Sequence, residues 1–375
     1  MFYFIPSIYE PNTAVSNRNL GFIKYFSQHG IETEVLFFRP DNDYSTISDK
    51  FDYISFRYLW KRGWIRHHVL CYISITFYLL WFYCHLRKGD KVFLIEQAYI
   101  WTHLLHRKGV DIYAEYTENP EVTGIGGRYL TPSYPKFYEC CTKLSGLFVI
   151  STTLKEWFTK HGVASEKIHI VNMTVDPARF QSVKKEPSVR YIAYCGTVSN
   201  NKDGVDQLIR AFSITHHSFP DVKLYIIGKA PERTEACANR DLVKELGMEE
   251  SVVFTGIISA SEMPQILKNA EVLALARPAN MQAQYGFPTK LGEYLLTGNP
   301  VVVTVVGDIP LFLHDGENAL VAIPDDPEAF AEKLNWVLSH HDEAIIIGEK
   351  GCQTALQSFN SEIESEKIVR TVFQN

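Results

Sequence analysis

The feature that most constrains this chain is its rhythm: short apolar runs alternate with segments of helical spacing from end to end. In the first half the strand-like runs are 1–5, 34–38, 53–56, 91–96, 111–116, 146–150 and 168–171. Helical spacing covers 19–29, 69–86, 98–108 and 152–161; Gly30 and Gly109 stop two of these, and Ser151 caps the last. In the second half strands read at 191–194, 223–227, 252–254, 271–275, 300–305 and 318–321. Helices read at 205–216, 261–269 with Ser261 as cap, 290–296, 327–340 and an amphipathic 363–373. Strands that recur with a helix between them form a parallel sheet covered on both faces. Ligands of such sheets sit beyond the carboxyl ends of the strands. The pattern breaks at 175–186, around Asp176-Pro177 and the charged Lys184-Lys185-Glu186-Pro187. The expectation is an α/β chain of two doubly wound Rossmann-like domains, 1–178 and 179–355, with a C-terminal helix at 360–375 packing back on the first.

Composition narrows the function classes. A chain of 375 residues, 46% hydrophobic and 21% charged, has ample core for two domains. A net charge of -6 gives no global reason to expect nucleic acid as a partner. Seven scattered cysteines with no Cys-x-x-Cys pair make neither a disulfide framework nor a zinc site, and suit a reducing cytosol. The start, Met1-Phe2-Tyr3-Phe4-Ile5-Pro6, lacks the basic head and long apolar run of a signal peptide. Residues 69–84 carry no acid or base, yet fall short of the ~20 residues that a span needs. Arg57, Lys61, Arg62 and Arg66 precede this stretch; Arg87, Lys88 and Lys91 follow it. It reads either as a buried helix or as an aromatic, basic-flanked surface resting on an anionic membrane through 57–91.

Three loops of the second half follow strands and so share one sheet edge. The first runs from Gly196 through Thr197 to Lys202 and Gly204: small residues admit a ligand to the backbone, and Lys202 brings a cation suited to a diphosphate. The second set is Gly228-Lys229 and Gly256-Ile257, each at a strand end. The third is Tyr285-Gly286-Phe287-Pro288-Thr289-Lys290, opening a helix whose free N–H groups suit phosphate. Glu293 lies one turn on, on the face of Lys290, where a carboxylate can accept two hydroxyls of a ribose. Taken singly, Lys202 also reads as a solvated turn lysine, and Lys290 with Glu293 as an ordinary surface pair.

In order and spacing these loops resemble the nucleotide-sugar half of the GT-B glycosyltransferases, specifically the large retaining group-4 family. Carrying the likeness are Gly196, Lys202 and Gly204; Tyr225-Ile226-Ile227-Gly228; Phe254-Thr255-Gly256; Gly286 to Tyr294; Gly298-Asn299-Pro300-Val301-Val302; Asp308-Ile309-Pro310; and Gly316-Glu317-Asn318-Ala319. Val171-Asn172-Met173-Thr174-Val175-Asp176 looks like the family's linker signature, and the likeness is specific over roughly 170–335. The resemblance implies a GT-B fold with the two domains facing a cleft. It implies that Glu293 holds the donor ribose, that Lys202 and Lys290 neutralise the diphosphate, that Thr289 and the helix start give it amides, and that Ile257 packs by the base. It also implies no metal and no cofactor beyond a nucleotide-sugar substrate of UDP or GDP type.

Two positions depart from the family pattern. Tyr285 stands where the family has a second glutamate that contacts the donor sugar, and Thr197 where it has an arginine. In the first half Glu118 takes the place of a family histidine: it is a catalytic candidate, the one side-chain base for an inverting reaction, and an acceptor or donor-sugar contact, or else a helix-capping acid, with Asn119 beside it on the acceptor side. The stretch Ser16-Asn17-Arg18-Asn19 reads as a loop that follows the first strand and opens the first helix, and the resemblance implies that it approaches the donor phosphates and the acceptor. Asp41-Asn42-Asp43 reads as a turn, not a metal motif, and Gly124-Ile125-Gly126-Gly127 as no dinucleotide fingerprint. The expected activity is transfer of a sugar, with retention, to a glycan or glycolipid acceptor in bacterial surface polysaccharide synthesis. The expected location is the cytoplasm, with the inner membrane face as its alternative. The competing readings are a sugar-nucleotide epimerase of the same fold and a decayed nucleotide-sugar-binding protein.

Overall fold

Runs such as Phe2–Ile5, Lys91–Ile95 and Val301–Thr304 are apolar on both sides of the strand, so each must be covered on both faces. The computed structural model does this with two parallel sheets. It describes residues 1–6, 14–37, 50–58, 68–95, 102, 105–106, 108–124, 133–186 and 189–374. Asp41-Asn42-Asp43, Ile125-Gly126-Gly127, Lys61, Arg62, Arg66 and most of the helix expected at 98–108 lie outside the described residues.

Met1–Asn172 and Ser361–Asn375 form one compact unit. Its strands are β1 (Phe2–Ile5), β2 (Thr33–Phe37), β3 (Ile54–Tyr58), β4 (Lys91–Ile95), β5 (Asp111–Tyr116), β6 (Gly146–Val149) and β7 (Ile168–Ile170). They lie in the order β3-β2-β1-β4-β5-β6-β7, all parallel, with Phe2 registered against Thr33 on one side and Lys91 on the other. Phe2, Phe4, Phe22, Phe26, Phe93 and Phe148 fill the core together with Ile368 and Val372 of the C-terminal helix Ser361–Phe373. Ser151 caps Thr152–Lys160, its hydroxyl accepting from the Leu154 N–H at 3.1 Å. The 69–86 segment is the helix His68–His85; Phe82 is buried against Tyr3, while Phe77 and Leu80 are 69% and 59% exposed. Among the described residues no helix is long and apolar enough to cross a membrane.

Met173–Asn360 form the second unit. Its strands are β8 (Tyr191–Cys195), β9 (Lys223–Ile227), β10 (Val252–Gly256), β11 (Val272–Leu275), β12 (Val301–Thr304) and β13 (Leu320–Ala322). They are parallel in the order β10-β9-β8-β11-β12-β13, so the order reverses between β8 and β11. The change of unit falls before 178/179 because the linker packs on the end of this second unit: the Val175 N–H donates to the Phe359 carbonyl at 2.8 Å, and Val175 bridges Asn360. Two long helices here fall outside the expected set. Arg233–Glu245 buries only Asn239, Leu242 and Val243, too few for an apolar stripe. His341–Ser358 carries consecutive rather than spaced isoleucines and two glycines; Gly348 lies on the Gly298–Asn299 backbone and Gly351 on the Asn318 carbonyl, where a Cβ has no room. Ser261 caps nothing: the helix is Met263–Asn269, and Ser259 accepts from the Glu262 N–H at 3.3 Å one turn earlier.

Candidate functional site

Where the order of a doubly wound sheet reverses, the loops leaving the two central strands splay apart and open a crevice. In the second unit those loops leave β8 and β11. After β8 the chain passes Gly196 and enters the turn of helix Asn200–Asp203, capped by the Ser199 hydroxyl, which accepts from the Lys202 N–H at 3.3 Å. Gly204 closes that turn in the left-handed region, and a Cβ there would overlap the Ala276 carbonyl at the end of β11. The two loops are stitched together: Arg277 Nε donates to the Lys202 carbonyl at 3.2 Å and Asn280 Nδ2 to the Asn201 carbonyl at 2.6 Å. Gly228 lies against the Gly196 carbonyl, again with no room for a Cβ, and its N–H donates to the Gly256 carbonyl at 2.9 Å. Gly196, Gly228 and Gly256 thus end three neighbouring strands side by side. Thr197, Lys229 and Ile257 beside them are exposed, Ile257 at 78%.

The third loop meets this edge at the helix Thr289–Leu296. Pro288 occupies its cap position and no side chain caps it, so its first amides keep the anion-binding polarity of a helix start. Tyr294 fixes the helix to β8: its hydroxyl accepts from the Cys195 N–H at 2.6 Å and donates to the Cys195 carbonyl at 3.0 Å. Gly286 is buried at the end of helix Met281–Tyr285, with half-buried Tyr285 before it. The Phe287 ring is turned inward, packed on Phe312 and Phe359, so it supports the loop and offers no face to a ligand.

The two lysines expected to meet a diphosphate differ in their surroundings. Lys202 is half-buried in the Asn200–Asp203 turn. The Lys290 ammonium is not free: it is ion-paired with Asp203, donates to the Tyr194 hydroxyl at 3.2 Å and lies over the Tyr194 ring, behind Gly196. Tyr194 donates in turn to Asp203 at 2.7 Å. Burial lowers the Lys290 pKa, and Asp203 works against that shift. Glu293 is also engaged, paired with Arg179 in the short 3-10 turn Pro177–Arg179. Burial pushes the Glu293 pKa up and the guanidinium pulls it back. Asp203 and Arg179 were not singled out from sequence; nothing local marks either of them, since each partner lies far along the chain.

In the first unit Ser16–Asn19 is no loop. It lies within helix Ala14–Gln28, which starts before the residue that the spacing suggested. Asn17 is exposed, whereas Arg18 is buried and saturated, donating to both Glu115 oxygens and to the Val171 and Asn172 carbonyls. Asn19 is buried too, with no partner for its amide among the described residues. Glu118 is half-buried just past β5. Asn119 is the cap of Pro120–Thr123, its Oδ1 accepting from the Glu121 N–H at 2.9 Å. The Asn119 Nδ2 is buried without a partner among the described residues.

With this geometry, residues 189–340 match the family Glycosyl transferases group 1. The chain is 24% identical over 250 residues to an uncharacterized glycosyltransferase of Methanocaldococcus jannaschii, covering 60% of each chain. It is 27% identical over 174 residues to the D-inositol 3-phosphate glycosyltransferase of Corynebacterium urealyticum, covering 45% of this chain and 39% of that one. The matches therefore span about 40–60% of these curated relatives' length. The crystal structure of Anabaena Alr3699/HepE in complex with UDP superposes with a TM-score of 0.77 at 16% identity, covering 100% of both chains. The fold is thus that of the GT-B glycosyltransferases, and the match to the group 1 family lies within the second unit, over residues 189–340.

Proposed function

We propose that this chain transfers a sugar from a nucleoside-diphosphate sugar of UDP or GDP type to a glycan or glycolipid acceptor, with retention, in the assembly of a bacterial surface polysaccharide. The observation that carries the donor half is the edge at β8 and β11, where three strand-end glycines, an uncapped helix start and a carboxylate meet at the reversal of strand order. Glu293 receives the ribose hydroxyls. The amides of Thr289 and Lys290 and the Lys202 ammonium receive the diphosphate, while Lys290 stays anchored to Asp203 and adds its charge from behind. The base lies along Gly256 and Ile257. Glu118 and Asn119, past β5, serve the acceptor. As the sugar–phosphate C–O bond breaks, the diphosphate oxygen leaves with the electron pair. The acceptor oxygen bonds the same carbon from the same face, and its proton passes to the departing diphosphate. No metal is required, because cationic side chains and amides carry the charge that develops.

The test is calorimetric titration of UDP and GDP in EDTA. One of them binds wild type, and Glu293→Ala weakens it about tenfold or more, the loss of hydrogen bonds to a charged group worth ~1.5–3 kcal/mol. Equal binding to the variant overturns the site. Peripheral membrane contact is tested separately: exposed Phe77 and Leu80, with Arg57, Arg87 and Lys88 nearby in sequence, bind anionic vesicles at low salt. No cosedimentation there removes that part alone.

A further inference from the structure

Arg179 belongs to no motif of the donor loops, yet its geometry is built. It ends the turn Pro177–Arg179, whose start is fixed by Asp176 Oδ1 accepting from the Ala178 N–H at 3.0 Å. Its guanidinium is paired with Oε1 of Glu293, and the two side chains are 28% and 26% exposed. The carboxylate's own backbone is held on both sides. Gly292 lies so close to Met173 and Val175 that no Cβ fits, and Tyr294 is bonded to the Cys195 backbone. The segment carrying Arg179 and the helix carrying Glu293 therefore cannot drift apart independently.

We propose that Arg179 is the positioning residue of the donor ribose, clamping Glu293 by one oxygen so that the other faces the 2′ and 3′ hydroxyls. The proposal rests on the reading of Glu293 as the ribose carboxylate. A carboxyl group accepts two hydroxyls most strongly while ionised, and burial at this edge favours the neutral acid. The groups that face it cannot supply the missing charge. Burial pushes the Cys195 thiol up to about 12, and burial raises the Tyr294 phenol well above its ordinary value, so both are neutral. Lys290, on the same helix, is committed to Asp203. Arg179 is the cation paired with Glu293, and a guanidinium stays charged at every working pH.

The experiment titrates UDP and GDP, and their 2′,3′-dideoxy analogues, into wild type, Arg179→Gln, Arg179→Lys and Glu293→Gln. Each titration is run at about pH 8 and again at about pH 5.5, nearer the ordinary carboxylate value. Arg179→Gln weakens the ribonucleotide roughly tenfold at the higher pH and more at the lower, while the dideoxy analogue binds as it does to wild type. Arg179→Lys restores much of the pH profile. Equal weakening of both nucleotides at both pH values would mean a purely structural role and overturns the proposal. Unchanged ribonucleotide binding overturns it too, and tighter binding would show that the guanidinium competes with the ribose. If Glu293→Gln leaves ribonucleotide binding intact, the ribose reading itself fails, and the proposal fails with it.

Discussion

Near the carboxyl end of β5, in the first unit, Arg18 and Glu115 are 5% and 1% exposed, and the guanidinium spends its donors on Glu115 and two carbonyls. Past the carboxyl end of β8, in the second unit, Asp203 is as deeply buried at 1%, but its partner Lys290 is 17% exposed, and the nearby Arg179–Glu293 pair is about a quarter exposed. Both edges bury charge. The first is closed by its own hydrogen bonds, so its work is to join helix Ala14–Gln28 to β5 and to the end of β7. The second keeps an open flank, and charge held at an open flank is what a polar ligand can use. The largest effect that could break this comparison is Arg18→Ala. It strands a buried carboxylate and costs about 3–5 kcal/mol, read from urea unfolding. Arg18→Met combined with Glu115→Leu recovers most of that loss, since an apolar pair needs no partner. A small stability loss with abolished transfer would instead make the first edge a functional site like the second.

The second edge answers differently to the same kind of substitution. Lys290→Met costs less, about 1–3 kcal/mol, because the Tyr194 hydroxyl still donates to Asp203 and Arg277 Nε lies 3.9 Å from it. On the proposed reading, Lys202→Ala weakens diphosphate binding the more of the two. If Lys290→Met abolishes UDP or GDP binding at unchanged stability, Lys290 and not Lys202 is the cation at the ligand. The glycines sharpen the picture further. Gly204→Ala meets both a left-handed backbone and the Ala276 carbonyl, a cost of about 1–3 kcal/mol. Gly256 shares the left-handed backbone but has open space, so Gly256→Ala costs only about 1 kcal/mol. Equal unfolding free energies for the two would show that contact with β11 adds nothing at Gly204.

The strands were legible because a parallel strand buried on both faces leaves an unbroken apolar run: Lys223–Ile227 and Asp111–Tyr116 begin and end where the sequence predicts. The placing of three glycine-bearing loops at one edge was legible from their order alone. What each charge does there was not. Glu115 sits in Asp-Ile-Tyr-Ala-Glu-Tyr, and its partner is 97 positions away; Lys290 and Asp203 are 87 apart, and Arg179 and Glu293 114 apart. Local spacing paired Lys290 with Glu293 across one helical turn, whereas each is drawn to a different partner from another element. Buried ion pairs form by tertiary contact, and periodicity carries no information about them.

The smallest effect concerns Glu293 and pH. Its folded-state pKa is raised by burial, so the folded chain holds that proton more tightly than the unfolded chain does. Stability from this group is greatest below the ordinary carboxylate value and falls as pH rises through the raised one. On the proposed reading of Glu293 as the ribose carboxylate, nucleotide binding needs the ionised form and runs the opposite way over the same window. Because Arg179 offsets the shift and the carboxylate is about a quarter exposed, the stability change is small beside those of the substitutions above. It is measurable as the difference between wild type and Glu293→Gln in urea unfolding across that window. A wild type that gains stability over Glu293→Gln as pH rises would mean that the guanidinium outweighs burial. The edge at β8 would then be a saturated pair like Arg18–Glu115, and the contrast between the two units would disappear.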